Sequence, residues 1–140
     1  MLFADTSALY ALLVPEDAHH AEATRAATAN RDGREQIWTI DPALTELWLL
    51  LKRDFGARGA DRHVRGLLDH GLDREPLKEA DYVRCWDIAH RWSDQDFALT
   101  DRQAFAVMER TGRLRAWSYD SDFTVIRLGP RLDRSVDVVR

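Results

Sequence analysis

The sequence has a single cysteine, no long hydrophobic run and no leader-like start. Because Cys85 is the only cysteine among 140 residues, no disulfide can form within the chain, which fits a reducing compartment. No apolar stretch reaches the roughly 18 residues of a membrane-spanning helix, and no basic segment precedes the first apolar run. These absences predict a cytoplasmic protein with no membrane partner.

An excess of charge of one sign is also missing. The net charge is −4 at pH 7, with 45% hydrophobic and 31% charged residues, which is an ordinary globular balance. The overall charge therefore does not indicate nucleic-acid binding. Lysine is scarce, since only Lys52 and Lys78 are present, and we attribute this preference for arginine to a compositional bias of the genome. The length fits one domain over residues 1–140.

Short apolar segments alternate with helical patterns along the chain. Strands are predicted at residues 1–4, 36–40, 114–119 and 124–128, with a shorter one within 71–77. Helices are predicted at residues 8–13, 17–29, 41–55, 60–69, 78–92 and just before Gly112, with a break between Gly56 and Gly59. The tail from Gly129 onward is expected to be irregular. This alternation predicts an α/β protein with three layers, α/β/α, around a mostly parallel central sheet.

Local signals predict how individual helices begin and which side they bury. Thr6 or Ser7 is expected to cap the first helix, and Asp41 followed by Pro42 indicates the start of another. The apolar side of the helix over 78–92 is assigned to Val83, Trp86 and Ala89, with Trp92 as a further candidate.

Four carboxylates lie at or just beyond the ends of the predicted strands. Asp5 follows the first strand, and Asp120 follows the strand over 114–119. Glu46 lies early in the helix after the second strand, and Asp101 opens a helix. Ligands of such sheets bind outside the carboxyl ends of the strands, so the topology can gather these acids at one edge. Crowded carboxylates repel one another, and a divalent cation would relieve this repulsion and neutralise the charge of a phosphodiester.

The segments that carry these acids resemble the motifs of PIN-domain ribonucleases, specifically VapC-type toxins of bacterial toxin–antitoxin pairs. The matching segments are FADTSAL, LTELW, DFALTDRQAFAVMERTG and AWSYDSDF, which together run from Phe3 to Phe123. The resemblance implies that the catalytic metal ligands are Asp5, Glu46, Asp101 and Asp120. It also implies Mg²⁺ as the cofactor, with Mn²⁺ as an alternative.

The function implied by this resemblance is that of a metal-dependent endoribonuclease that hydrolyses RNA phosphodiester bonds and leaves a 5′-phosphate. The implied partners are a VapB-like antitoxin, the RNA substrate and a second copy of the chain in a homodimer. The alternative is a PIN-like module that binds RNA or protein without cutting. Phosphatases with an aspartate nucleophile are disfavoured, because Ser7 stands where they place a second aspartate. Phospho-acceptor receiver domains are disfavoured, because Asp5 has no acidic neighbour and the last lysine is Lys78.

Several assignments stay open in the sequence. Asp122 lies close to Asp120, so either could be the fourth acid, and Asp94 or Asp96 could support the site. Arg102 is the cation nearest in sequence that could steer the RNA backbone. The hydroxyl groups that could orient a carboxylate are those of Thr6, Ser7 and Thr100.

Overall fold

The computed structural model describes all 140 residues and is built around a parallel sheet. The strands along the chain are β1 (Leu2–Ala4), β2 (Ile37–Thr39), β3 (Asp73–Arg74), β4 (Arg115–Trp117), β5 (Arg127–Leu128), β6 (Arg134–Ser135) and β7 (Asp137–Val139). Five of them form the sheet in the order β3-β2-β1-β4-β7, and every neighbouring pair is parallel. The remaining two, β5 and β6, form a separate antiparallel pair.

Helices cover both faces of this sheet. They are α1 (Thr6–Leu13), α2 (His20–Asp32), α3 (Asp41–Asp69), α4 (Glu79–Arg91), α5 (Leu99–Thr111) and α6 (Asp122–Val125). The predicted break within α3 is present at Gly56, where φ is 72° and ψ is 172°, a conformation that favours glycine. None of the helices combines the length and the apolar character needed to cross a bilayer.

Side chains that alternate in direction along the strands divide the buried core between the two faces of the sheet. Phe3 belongs to one buried cluster, together with Trp38 and Phe105. Leu2 and Ala4, the residues on either side of Phe3, belong to the other cluster. Successive side chains of a strand point to opposite faces, so a sheet buried on both sides needs a helical layer on each. The predicted three-layer α/β/α fold with a parallel sheet is confirmed.

The prediction of an irregular tail is wrong, because β7 joins the central sheet. It pairs with β4 in parallel, with Arg115 opposite Asp137 and Trp117 opposite Val139. As an edge strand it is only half-buried, so it lacks the continuous apolar run that identifies a central strand. The predicted strand at 124–128 is also wrong in its first half, where the chain forms α6 before β5 begins.

The apolar side predicted for α4 is wrong as well. Val83 and Trp86 are 64% and 58% exposed. The residues of α4 that are buried are instead Asp81, Cys85 and Ile88. Asp81 forms an ion pair with Arg110 of α5 at 2.8 Å, so a polar contact helps to orient this helix. A search for apolar periodicity cannot detect such a contact.

Two predicted helix caps differ in the structure. The N-cap of α1 is Asp5 rather than Thr6 or Ser7, because the backbone N–H of Ser7 donates to Asp5 Oδ2 at 3.3 Å. Asp41 is the first residue of α3 rather than its cap, and its carboxylate accepts from Arg74 Nη1 at 3.2 Å.

Candidate active site

The carboxyl ends of β1 and β4 lie side by side at the edge of a cavity of about 310 Å³. The backbone N–H of Asp5 donates to the carbonyl of Trp117 at 3.1 Å, which fixes the two chain segments where they leave the sheet. The acidic residues that line the cavity are Asp5, Asp17, Glu46, Asp101 and Asp120. The structure therefore brings all four acids selected from the sequence to one place.

Asp5 is held by hydroxyl groups that donate to one of its carboxylate oxygens. Its Oδ2 accepts from Ser7 Oγ at 2.6 Å and from Ser118 Oγ at 2.9 Å. Burial raises the pKa of Asp5 above its usual value, while the hydrogen bonds from the serines act in the opposite direction. Both serine hydroxyls therefore hold the carboxylate through the same oxygen, Oδ2.

The two serines connect Asp5 to the segment after β4. Ser7 Oγ accepts from the backbone N–H of Tyr119 at 3.0 Å, and Ser118 Oγ accepts from that of Asp120 at 3.0 Å. Each hydroxyl has a single proton and directs it at Asp5, so their mutual separation of 3.3 Å is a contact without a donated proton. The expectation that Ser7 orients a carboxylate agrees with this geometry, whereas Ser118 was missed by the sequence analysis.

Glu46 is held by a residue next to Asp5. Thr6 Oγ1 lies 3.2 Å from Glu46 Oε2 and 3.2 Å from the carbonyl oxygen of Ala43. The single hydroxyl proton is therefore shared between these two acceptors. This contact joins the start of α1 to the first turns of α3 and places the Glu46 carboxylate at the cavity.

Asp101 has the most strongly perturbed carboxyl group of the site. It is 8% exposed, and its pKa is raised to about 8. Burial is the largest cause, and the negative charges of Asp5, Asp120, Asp122 and Glu46 follow. Carboxylates that repel one another in a buried position hold one proton until a cation replaces it.

Asp120 and Asp122 both approach Asp101. One carboxylate oxygen from each of these three residues lies within 4.8 Å of the others. Asp120 Oδ1 accepts from the backbone N–H of Asp122 at 2.9 Å, but only Asp120 lines the cavity. Burial, followed by the charges of Asp120 and Asp96, raises the pKa of Asp122. Asp96 therefore belongs to the surroundings of the site, whereas Asp94 contacts Gln95 instead.

The chemistry of these side chains fits a hard divalent cation. All the donors are carboxylate oxygens, which such cations prefer, and a few of them suffice when water fills the other positions. Burial and then the neighbouring negative charges raise the pKa of Asp101, and a bound cation would offset both effects.

Two aromatic residues of the cavity were not selected from the sequence. His19 lies parallel to Tyr119, with ring centroids 4.3 Å apart and an angle of 7° between the planes. Both rings line the acidic cavity. No spacing pattern could have indicated the pair, because the two residues come from segments that are distant in the chain.

Arg102 does not lie where the sequence suggested. Its guanidinium lies over the indole of Trp86, 5.6 Å from the ring centroid, and it does not line the cavity. The indoles of Trp38 and Trp117 are fully buried in the core, so neither is available for stacking with a base.

The family model of the PIN domain matches residues 2–128. The chain therefore belongs to the PIN domain family. This membership confirms the enzyme class predicted from the sequence, an RNA-cleaving hydrolase.

The sequence is similar to the 23S rRNA-specific endonuclease VapC20 of Mycobacterium tuberculosis. The two are 29% identical over 124 residues, which cover 89% of this chain and 92% of the relative, in both strain CDC 1551 / Oshkosh and strain H37Rv. The predicted resemblance to VapC-type ribonucleases is confirmed.

Two solved structures are similar to this one. One is the crystal structure of M. tuberculosis VapC20, a toxin that cleaves the sarcin–ricin loop. It has a TM-score of 0.76 and 27% sequence identity, and the match covers 87% of this chain and 92% of the VapC20 chain. A toxin–antitoxin complex from Klebsiella pneumoniae has a TM-score of 0.67, and the match covers 100% of this chain and 97% of the chain from the complex. With 16% identity, the latter supports the fold alone.

Proposed function

We propose that the protein is a Mg²⁺-dependent endoribonuclease that acts as the toxin of a VapBC-type toxin–antitoxin pair. The observation that supports this most is the convergence of Asp5, Glu46, Asp101 and Asp120 on one cavity. The raised pKa of Asp101 is consistent with it, because burial and the surrounding carboxylates both disfavour an uncompensated negative charge there.

In this proposal the four acids hold the cation, and Asp122 supports Asp101 and Asp120. A bound divalent cation supplies positive charge to the phosphodiester and makes water a stronger nucleophile at neutral pH. Mn²⁺ can replace Mg²⁺, because both accept carboxylate oxygens.

The remaining residues of the site prepare the acids for this role. Ser7 and Ser118 hold the Asp5 carboxylate in position through its Oδ2 atom. Thr6 fixes Glu46 in the same way. Such fixed contacts reduce the reorganisation that cation and substrate binding would otherwise require.

The proposed partners agree with the descriptions of similar proteins. VapC20 is a toxin, and the complex from K. pneumoniae pairs a toxin with its antitoxin. We expect this chain to bind a VapB-like antitoxin across the acidic cavity and to form a homodimer. Its RNA substrate and its antitoxin would both be met in the cytoplasm.

Cleavage of RNA by the purified protein tests the proposal. Suitable substrates are total bacterial RNA and a synthetic sarcin–ricin loop, because VapC20 cleaves that loop. We expect cleavage in Mg²⁺, none in excess chelator, and none after Asp5→Asn or Asp101→Asn. Asp94→Asn is the control, because Asp94 is exposed and lies outside the cavity.

The outcomes separate the candidates. Cleavage that persists in chelator, or in both acid variants, would contradict a metal-dependent site. RNA binding without any cleavage in Mg²⁺ would instead favour the non-cutting PIN-like module.

A further inference from the structure

A second cavity, of about 390 Å³, lies beside the acidic cavity. It is lined by His19, Glu22, Arg25, Ala26, Tyr119 and Arg140, and we refer to it as the arginine cavity. The stacked rings of His19 and Tyr119 line both cavities, so the two are separated only by this ring pair. A ligand that passes over the rings can therefore occupy both.

The ring pair is held in place by contacts from the surrounding chain. Tyr119 donates its backbone N–H to Ser7 Oγ at 3.0 Å, and its hydroxyl oxygen accepts from Trp117 Nε1 at 3.5 Å. The backbone N–H of His19 donates to Asp17 Oδ1 at 2.8 Å. The His19 side chain is nevertheless 49% exposed, so the pair offers aromatic surface in a fixed position.

The lining of the arginine cavity contains two arginines, whereas that of its acidic neighbour contains no lysine or arginine. Arg25 and Arg140 are exposed and take part in none of the ion pairs of the structure, in contrast with Arg110 and Arg115, for example. Glu22 is the only acidic side chain among the lining residues. Its Oε2 lies 3.4 Å from the imidazole of His19 rather than beside an arginine. The two guanidinium groups are thus available to an anionic ligand.

The sheet topology explains why these residues meet. Because β7 is parallel to β4, the residues that follow the two strands, Arg140 and Tyr119, emerge at the same edge. Asp5 follows β1, the other neighbour of β4, and leaves the sheet at that edge too. The arginine cavity is therefore one strand further along the edge that carries the acidic cavity.

We propose that the arginine cavity binds the part of the RNA strand next to the cleaved phosphodiester, with Arg25 and Arg140 contacting backbone phosphates and the His19–Tyr119 pair receiving a base. This rests on the proposed function, because it assumes that the scissile phosphate lies in the acidic cavity. RNA is the occupant that fits best, because it combines regularly spaced phosphates with flat rings. Forked guanidinium groups suit the phosphates, and aromatic side chains stack with unpaired bases.

The two halves of the proposal have different experimental signatures. Each phosphate contact lowers the logarithm of the binding constant for single strands by about 0.7 per tenfold rise in salt. Removing a guanidinium should therefore reduce both affinity and salt dependence. Removing a stacking ring should reduce affinity about fivefold or more and leave the salt dependence unchanged.

The test measures binding of a fluorescein-labelled single-stranded RNA by anisotropy, in chelator and at several salt concentrations. Arg25→Ala and Arg140→Ala are each expected to weaken binding and to lower the salt slope by about 0.7. Tyr119→Ala is expected to weaken binding at an unchanged slope, and Tyr119→Phe to restore it. Arg31→Ala is the matched control, because it removes the same charge from the same helix, α2, outside the arginine cavity.

Wild-type affinity and slope in the Arg25 and Arg140 variants would overturn the proposal, whatever the effect of Tyr119. Loss of antitoxin binding in these variants with RNA binding intact would also overturn it and assign the surface to a protein segment. Cleavage of total RNA by the wild-type protein in Mg²⁺ is measured in parallel. If the wild type cleaves RNA and the arginine variants bind RNA as the wild type does, only the proposed role of the arginine cavity is rejected. If the wild type neither cleaves nor binds RNA, the proposed function is rejected as well.

Discussion

Replacing Asp101 by asparagine is expected to stabilise the protein in the absence of a divalent cation, although it removes an acid of the candidate site. The pKa of Asp101 is raised from 3.8 to about 8, so the folded state must keep its proton or accept a buried charge. The unfolded chain has no such constraint and ionises this carboxyl group above about pH 4. Asparagine keeps the shape of the side chain and cannot ionise.

The sign and size of the effect follow from proton linkage. Between its two pKa values, Asp101 binds more protons in the folded than in the unfolded state, so the free energy of unfolding falls as pH rises. The interval between the ordinary pKa of 3.8 and neutral pH is about three pH units. Over each of these units the free energy of unfolding falls by about 1.4 kcal/mol. The cost that Asp101 imposes is therefore about 4 kcal/mol at pH 7, and it grows no further above about pH 8.

Urea unfolding in excess chelator measures this effect. We expect the free energy of unfolding of Asp101→Asn to exceed that of the wild type by up to about 4 kcal/mol near pH 7. Near pH 5 the difference should be less than half of that. Asp94→Asn is the control and should leave both stability and pH dependence unchanged. A variant that is no more stable than the wild type near pH 7, with the same pH dependence, would refute the argument that crowded and buried carboxylates destabilise the site.

Four further substitutions test other parts of the account. Ser118→Ala removes a hydrogen bond to Asp5 Oδ2 and, by analogy with residues that orient metal ligands, should lower RNA cleavage about 10- to 100-fold, measured as initial rates in Mg²⁺. Asp120→Asn should reduce cleavage more than Asp122→Asn, because only Asp120 lines the acidic cavity; equal losses would contradict this. Gly112→Ala should destabilise the protein by about 1 kcal/mol in urea unfolding, because Gly112 ends α5 at a φ of 68°.

The sequence was sufficient to place the four acids because their positions depend on few properties of the chain. Asp5 and Asp120 follow apolar strand segments directly, and parallel strands end at the same edge of a sheet. Glu46 and Asp101 lie in the first turns of helices, close to the same edge. The predicted placement of the four acids therefore depended mainly on the alternation of strands and helices along the chain.

Other features depend on contacts between distant segments and could not be predicted. The edge strand β7 has only a short half-buried run, and its pairing with β4 decides its conformation. The orientation of α4 involves the ion pair between Asp81 and Arg110, so its exposed Trp86 was assigned to the wrong side. The stacked rings and the arginine cavity combine residues near both ends of the chain, and no local pattern relates them.

The most direct test of the central claim is the anomalous signal of a crystal soaked in Mn²⁺. The account predicts a peak in the acidic cavity, in contact with carboxylate oxygens of Asp5, Asp101 and Asp120. A crystal with high Mn²⁺ occupancy elsewhere and no peak between these carboxylates would contradict it.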